Sequence, residues 1–222
     1  MGADVSLNLN NVRGSIIRAC SRANRSPSNV TLIAVTKTIS SEIIDEAFRS
    51  GIRDFGENQV QEALSKSNYF ARLQPRPTLH MIGHLQTNKI KVALGVFDFI
   101  HSVDSLKLAE TINRQAQHKV SVLLEVNVSG EPSKNGFLLP DIGSAVSFIS
   151  RLTNIDVMGL MTVAPIVDDP EKVRPVFRKL RELRDLYKLK HLSMGMTDDF
   201  TVAIEEGATM IRLGRAIFGE RK

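Results

Sequence analysis

The sequence contains no tryptophan, only two tyrosines, and one cysteine in 222 residues. A single cysteine cannot close an internal disulfide, so the fold must stand without covalent staples. Cys20 lies in a helical, partly apolar segment, which suits a buried structural thiol better than a nucleophile. No uncharged apolar run approaches the roughly 18 residues of a membrane span. The opening stretch MGADVSLNLNNVRG lacks a basic region followed by an apolar one, so it does not read as a secretory signal. These absences make a cytoplasmic, non-membrane protein the expectation. The shortage of aromatics also counts against nucleic acid as a partner. The net charge is +5, but basic residues alternate with acids, as in RKLRELRDLYK from Arg178 to Lys188. That pattern belongs to a solvated helix face rather than to a phosphate-tracking stripe.

Hydrophobic residues make up 42% of the chain and charged residues 24%, ordinary values for a globular domain. A chain of this length buries roughly 70% of its unfolded surface. No low-complexity linker divides it, and residues 1–222 read as one domain. Short β-branched or apolar runs alternate with helical patterns. The runs are Val30 to Thr36, Arg53 to Phe55, Leu79 to Ile82, Phe97 to His101, Ser121 to Val128, Asp156 to Met161, His191 to Ser193 and Thr209 to Leu213. Between them, Leu108, Ala109, Ile112 and Ala116 share a helical face, as do Val173, Val176, Phe177, Leu180 and Leu183. Ser40 or Ser41 is placed to cap the helix that carries Ile43, Ile44 and Ala47. Pro175 sets the start of the regular part of a later helix. A further helix, about Leu7 to Ala23, precedes the first run. Eight strand–helix units in about 200 residues match a closed parallel (β/α)8 barrel, TIM-like, with an extra N-terminal helix. A doubly wound open sheet is the alternative, but no G-x-G-x-x-G follows the first run.

In a barrel the chemistry sits at the C-terminal ends of the strands. The first run ends in Val35-Thr36-Lys37-Thr38. A lysine there projects toward the mouth against apolar wall, where desolvation favours the neutral, nucleophilic amine. Such an amine can form a Schiff base with an aldehyde or ketone; an exposed lysine closing a strand is the other reading. The second run ends at Gly56, where a tight turn would lead to Asn58, either a ligand contact or a helix cap. His80 and His84 are four apart but straddle a strand end and a glycine, so they diverge and no metal site is expected. His80 reads as a satisfied strand histidine, and His84, nearer the mouth, as one bonded to backbone or else a ligand contact.

The seventh run ends in Ser193, and Gly195 and Thr197 follow it before a helix, with Asp198 or Asp199 as its cap. Gly214 and Arg215 follow the eighth. Barrels often hold phosphate in the loops after strands seven and eight, beside a short extra helix. A nucleophilic lysine facing a phosphate cradle suits a phosphorylated aldehyde, for which pyridoxal phosphate and a phosphosugar are both open. No acid–base carboxylate pair of an aldolase surrounds Lys37.

Seven strings, IAVTKT, FGENQVQEA, HMIGHLQTNK, EVNVSGEPSKNGF, GLMTV, LSMGMTDDF and IRLGRAIFG, span about Val30 to Gly219. In that order they resemble the YggS/PROSC family of pyridoxal phosphate homeostasis proteins. The resemblance implies the barrel of fold-type III pyridoxal enzymes, like the N-terminal domain of alanine racemase, with pyridoxal 5′-phosphate as cofactor. It implies that Lys37 carries the cofactor as an internal aldimine and that Asn58 approaches the ring. It makes Ser193 and Thr197 the phosphate-binding hydroxyls, with Gly214 and Arg215 as the backbone part of the cradle. Arg212 takes the position facing the pyridine nitrogen, which a permanently charged guanidinium keeps unprotonated. Lys134 matches a family lysine with a role in transferring the cofactor, or is an exposed loop lysine. Two positions depart from the family: Thr197 stands where serine is frequent, and Arg215 where threonine is frequent.

The expectation is a protein that buffers pyridoxal phosphate and passes it to apoenzymes, with no catalytic residues of its own. An amino-acid racemase is the alternative. Its second base would come from a tyrosine, yet Tyr69 and Tyr187 both fall on outer helices, and the chain ends at Lys222 just after the eighth unit. A protein-binding module using the basic helix from Arg174 to Arg184 is a third reading. A monomer is the default.

Overall fold

Neighbouring strands close a circle. In the computed structural model, which describes residues 4–220, the strands pair in the order β4, β3, β2, β1, β9, β8, β7, β5, and β4 pairs back to β5. These strands are β1 (Thr31–Val35), β2 (Asp54–Glu57), β3 (Thr78–Met81), β4 (Phe99–Val103), β5 (Val120–Asn127), β7 (Ile155–Met161), β8 (His191–Ser193) and β9 (Met210–Leu213). Every pairing is parallel. A two-residue strand, β6 (Phe137–Leu138), pairs only with β5 and stays outside the wall. Eight parallel strands thus make the expected barrel.

Helices α2 (Ser41–Arg49), α3 (Val60–Arg72), α4 (Ile90–Ala93), α5 (Leu106–Gln115), α6 (Ile142–Ile149), α7 (Arg174–Leu186) and α8 (Phe200–Glu205) connect the strands, and α9 (Arg215–Phe218) follows β9. The side-chain alternation of a strand sorts residues between two cores. Outward residues such as Ala34, Phe55, Leu79, Leu124, Leu192 and Ile211 join the core under the helices. On α7, Phe177, Leu180 and Leu183 supply its buried stripe, and Pro175 falls in the first turn, where its missing N–H costs nothing. Inward residues Ile33, Leu123, Met161 and Met210 form a small apolar plug, with Phe99, Met158 and Val163 against it. Each such fully buried side chain contributes about 1.5–3 kcal/mol.

The extra helix, α1 (Val5–Arg22), starts at Asp4, whose side chain accepts from the Leu7 amide. Its buried stripe of Val5, Leu9, Val12, Ile16, Ala19 and Cys20 packs against α2, α8 and α9. Cys20 is fully buried and free, and burial pushes its thiol up.

Two local expectations change. Gly56 does not turn the chain; β2 continues through it to Glu57. A Cβ at Gly56 would stand 2.9 Å from Ile82 and 3.0 Å from Ile33, so glycine makes room inside the barrel. Ser40 occupies the cap position of α2 without a side-chain cap bond. No helix among the described residues is long and apolar enough to cross a membrane.

Candidate functional site

Strands β8, β9, β1 and β2 are contiguous in the wall. Their C-terminal ends therefore bring Thr197, Gly214, Lys37 and Asn58 to one arc of the mouth, although 160 residues of sequence separate Lys37 from Thr197.

Lys37 and Thr38 form a tight turn directly after β1. Thr38 has φ 64°, a left-handed conformation that a β-branched residue adopts only when its surroundings impose it. Glu62 on α3 imposes it by accepting the Thr38 amide, while Thr38 Oγ1 donates to the Lys37 carbonyl at 2.6 Å. Beneath the turn, Thr36 Oγ1 donates to Glu57 Oε1 at 2.7 Å. Lys66 Nζ reaches the Thr36 carbonyl at 2.7 Å and both Glu57 and Glu62 at 2.8 Å. The Glu57 side chain is 1% exposed and that of Lys66 12%. Burial pushes the Glu57 carboxyl up against the opposing pull of Lys66 and Thr36. Glu62 is likewise penalised by burial, but Lys66, the Thr38 amide and Lys37 bring it below its ordinary value. Lys37 is half-buried, and its setting is polar where apolar wall was expected, because the first turn of α3 carries Glu62 to the β1 turn.

Asn58 lies between β2 and α3 and caps nothing; Gln59 takes the cap position. Its Oδ1 is buried without a hydrogen-bond partner. Gly83 lets the Asn58 backbone approach closely: a Cβ there would fall 2.3 Å from the Asn58 carbonyl oxygen. A cavity of about 290 Å³ opens beside Asn58, with His84 and Lys89 also in its lining.

The loops after β8 and β9 meet. Gly195 turns the first loop with φ 95°. Asp199, not Asp198, takes the cap position of α8, and its Oδ1 accepts from the Met196 amide at 2.6 Å. Thr197 Oγ1 accepts from the Ala216 amide at 3.4 Å, so its hydroxyl stands over the first turn of α9. Arg215 turns its side chain outward to Asp198 and Glu220, leaving its backbone at that turn. A Cβ at Gly214 would meet only Val35, at an ordinary 3.7 Å. Protein packing thus does not demand glycine there, whereas a ligand close to the backbone would.

Ser193 does not join this cradle. It is fully buried inside the barrel, accepting from Arg212 Nη1 at 2.6 Å and bonded to His101 Nδ1 at 2.9 Å. The side chain after β8 that faces α9 is Thr197. Arg212 also donates from Nη2 to the Thr162 carbonyl at 2.9 Å. Burial pulls its guanidinium down to about 10, with Glu125 and Asp199 pulling the other way, so it remains charged at neutral pH. Glu125, near the end of β5, is pushed up to about 7 by burial and Asp104.

His84 pairs with Asp104 at 3.0 Å, a carboxylate where a backbone partner was expected. His80 is buried and bonded to Asp54 and His101. Lys134 is half-buried, paired with Glu131 at 2.7 Å and donating to the Val163 carbonyl at 3.2 Å. Tyr69 bonds Asp45 from α3, and Tyr187 ends α7 beside Gly143. No group of histidine, cysteine and carboxylate side chains suited to a metal occurs among the described residues.

Sequence patterning missed Glu57, Lys66, His101, Glu125 and Thr162. Glu57, His101 and Glu125 stand on strands, Lys66 on a helix and Thr162 just past β7, and only the direction each side chain takes in the folded wall gives it a partner.

The chain is similar to known proteins. The family model described as "Alanine racemase, N-terminal domain" matches residues 8–222. A pyridoxal phosphate homeostasis protein of Aquifex aeolicus is 44% identical over 96% of this chain and 97% of its own length. That of Escherichia coli K12 is 37% identical over 98% and 97%. Among solved structures, PipY of Synechococcus elongatus with PLP bound has a TM-score of 0.80 at 37% identity, covering 92% of this chain and all of that one. Alanine racemase of Corynebacterium glutamicum has a TM-score of 0.74 at 13% identity, which shows a shared fold over 61% of that chain.

Proposed function

The chain belongs to the family of pyridoxal phosphate homeostasis proteins, and from that membership we propose that it binds pyridoxal 5′-phosphate covalently through Lys37. It holds the cofactor for release to apoenzymes that need it. The acting species is a cytoplasmic monomer, with neither nucleic acid nor membrane as partner.

One observation carries the site assignment: four contiguous strand ends gather an amine, a hydroxyl, a glycine backbone and a buried amide oxygen without a protein partner. The residues fit the group. Bound pyridoxal phosphate supplies an electrophilic aldehyde and an electron-accepting ring. The Lys37 amine, presented by its strained turn, is the nucleophile for that aldehyde. Thr197 and the first amides of α9 take the phosphate, as hydroxyls and N–H groups at a helix start commonly do. Asn58 offers its side-chain amide to a ring substituent. Arg212 has five N–H donors, of which Ser193 and Thr162 engage two. A donor from this charged group to the pyridine nitrogen keeps that nitrogen unprotonated and weakens the ring as an electron sink. Ser193 serves this reading by aiming Arg212 rather than by touching phosphate.

Racemization needs a base on the face of the ring opposite Lys37. Both tyrosines stand on outer helices, with Tyr69 held to Asp45. The residues at the mouth support holding the cofactor over using it.

The test is a titration of the purified protein with pyridoxal phosphate. A visible absorption band should appear and become fixed to Lys37 by borohydride, and Lys37→Ala should lose both signals. Retention of both in Lys37→Ala would end the proposal. Turnover of an amino acid that depends on Lys37 would convert it into a racemase-like one.

A further inference from the structure

A chain of hydrogen bonds crosses the barrel interior from β2 to β9. Asp54 Oδ1 lies 3.0 Å from His80 Nε2. His80 Nδ1 lies 2.9 Å from His101 Nε2, the two rings nearly perpendicular at 87°. His101 Nδ1 lies 2.9 Å from Ser193 Oγ, and Ser193 Oγ accepts from Arg212 Nη1 at 2.6 Å. His80, His101, Ser193 and Arg212 are all buried; Asp54 alone is partly open, its side chain 27% exposed.

The two ends give the chain a direction. A guanidinium can only donate, and a carboxylate can only accept. Starting from Asp54, His80 donates through Nε2 and accepts at Nδ1. His101 then donates through Nε2 and accepts at Nδ1, from the Ser193 hydroxyl. The same oxygen accepts from Arg212, so every donor finds an acceptor. Running the middle of the chain the other way makes Ser193 Oγ accept twice. Its hydroxyl hydrogen then has no acceptor among the described residues, in a site that water does not reach. Burial, helped by His80, Arg212 and His191, holds the His101 imidazole well below its ordinary value, which agrees with a neutral ring.

We infer that Asp54, His80 and His101 are positioning residues that act through Ser193 to orient Arg212, with both imidazoles neutral and protonated on Nε2. None of the three touches the ligand. Bonds aligned in one direction polarise one another, so the Asp54 carboxylate steadies the Arg212 charge from the other end of the chain of bonds. The link to the cofactor rests on Arg212 facing the pyridine nitrogen; the chain itself needs no ligand.

The experiment uses the full-length, 15N-labelled protein, with and without pyridoxal phosphate. Long-range proton–nitrogen correlation spectra report the tautomer of each histidine ring. At about pH 8, His80 and His101 should both appear as neutral Nε2–H forms. Asp54→Ala removes the terminal acceptor at the partly open end. Nδ1–H forms should then appear, and the visible absorption maximum of the bound cofactor should move. Asp54→Asn should restore both readouts, because its Oδ1 still accepts. Imidazolium or Nδ1–H at either ring in the native protein would overturn the inference, and so would Asp54→Ala spectra that superimpose on the native ones. Should Asp54→Ala fail to fold, the native tautomers decide alone. Borohydride trapping on Lys37 in the same samples tests the functional reading separately. Correct tautomers without trapping would remove the function and leave the chain, and trapping with wrong tautomers would do the reverse.

Discussion

Replacing Glu125 by glutamine removes a carboxyl that burial and Asp104 push up to about 7, while Arg212 and His84 pull it down. The folded protein binds this proton more tightly than the unfolded chain, whose ordinary value is 4.5. The group's contribution to stability is therefore fully present below that ordinary value and is lost as the pH rises through about 7. At about 1.4 kcal/mol per pH unit, the rise corresponds to about 3 kcal/mol. Glu125 is only 9% exposed, so solvent screens little of this. Glutamine keeps the size and loses the titration. Urea unfolding of both proteins at about pH 5 and pH 8.5 isolates the effect, since the other carboxylates are common to both. The native protein should lose about 2–3 kcal/mol relative to Glu125→Gln between those conditions. A gap between the two proteins that stays constant with pH would refute the placement of a desolvated carboxyl beside Arg212.

Two further outcomes follow from the geometry. Lys66→Met should cost about 3–5 kcal/mol, because it strands the buried Glu57 carboxylate. It should also weaken cofactor binding by loosening the Lys37 turn; a urea midpoint within error of native would contradict the buried pair. Gly195→Ala should destabilise by at least about 2 kcal/mol. Its Cβ would fall 2.6 Å from that of Ala203 at a φ of 95°. The cofactor should bind more weakly as Thr197 shifts, and unchanged phosphate-ester affinity would separate this loop from the cradle.

Alternating apolar runs and helical faces made the eight-stranded barrel legible in the sequence. Period-two and period-3.6 patterns are local, and each run carries its own signal. The strong run from Ser121 to Val128 reads clearly and becomes β5 (Val120–Asn127), and the weak His191–Ser193 run is carried by its neighbours. Lys37, Asn58, Thr197 and Gly214 could be picked out because strand ends in a barrel share one face. The role of Gly56 could not, because the need for glycine comes from Ile33 and Ile82 across the interior.

Lys37 and the loops after β8 and β9 are thus marked by residue type and position along the chain, and the resemblance of seven strings supplies the cofactor's identity. The sequence by itself determined which lysine, which glycines and which hydroxyls could serve a phosphorylated aldehyde. Only the tertiary structure decided that Ser193 turns inward to Arg212 while Thr197 stands over α9. It alone joined Asp54, His80 and His101 into one chain, and Thr36, Glu57, Glu62 and Lys66 into a brace under Lys37. The physical reason is that hydrogen-bond partners in a closed barrel are set by strand order and by which way each side chain points. Partners such as His101 and Ser193 lie 92 residues apart, and no local pattern encodes their meeting.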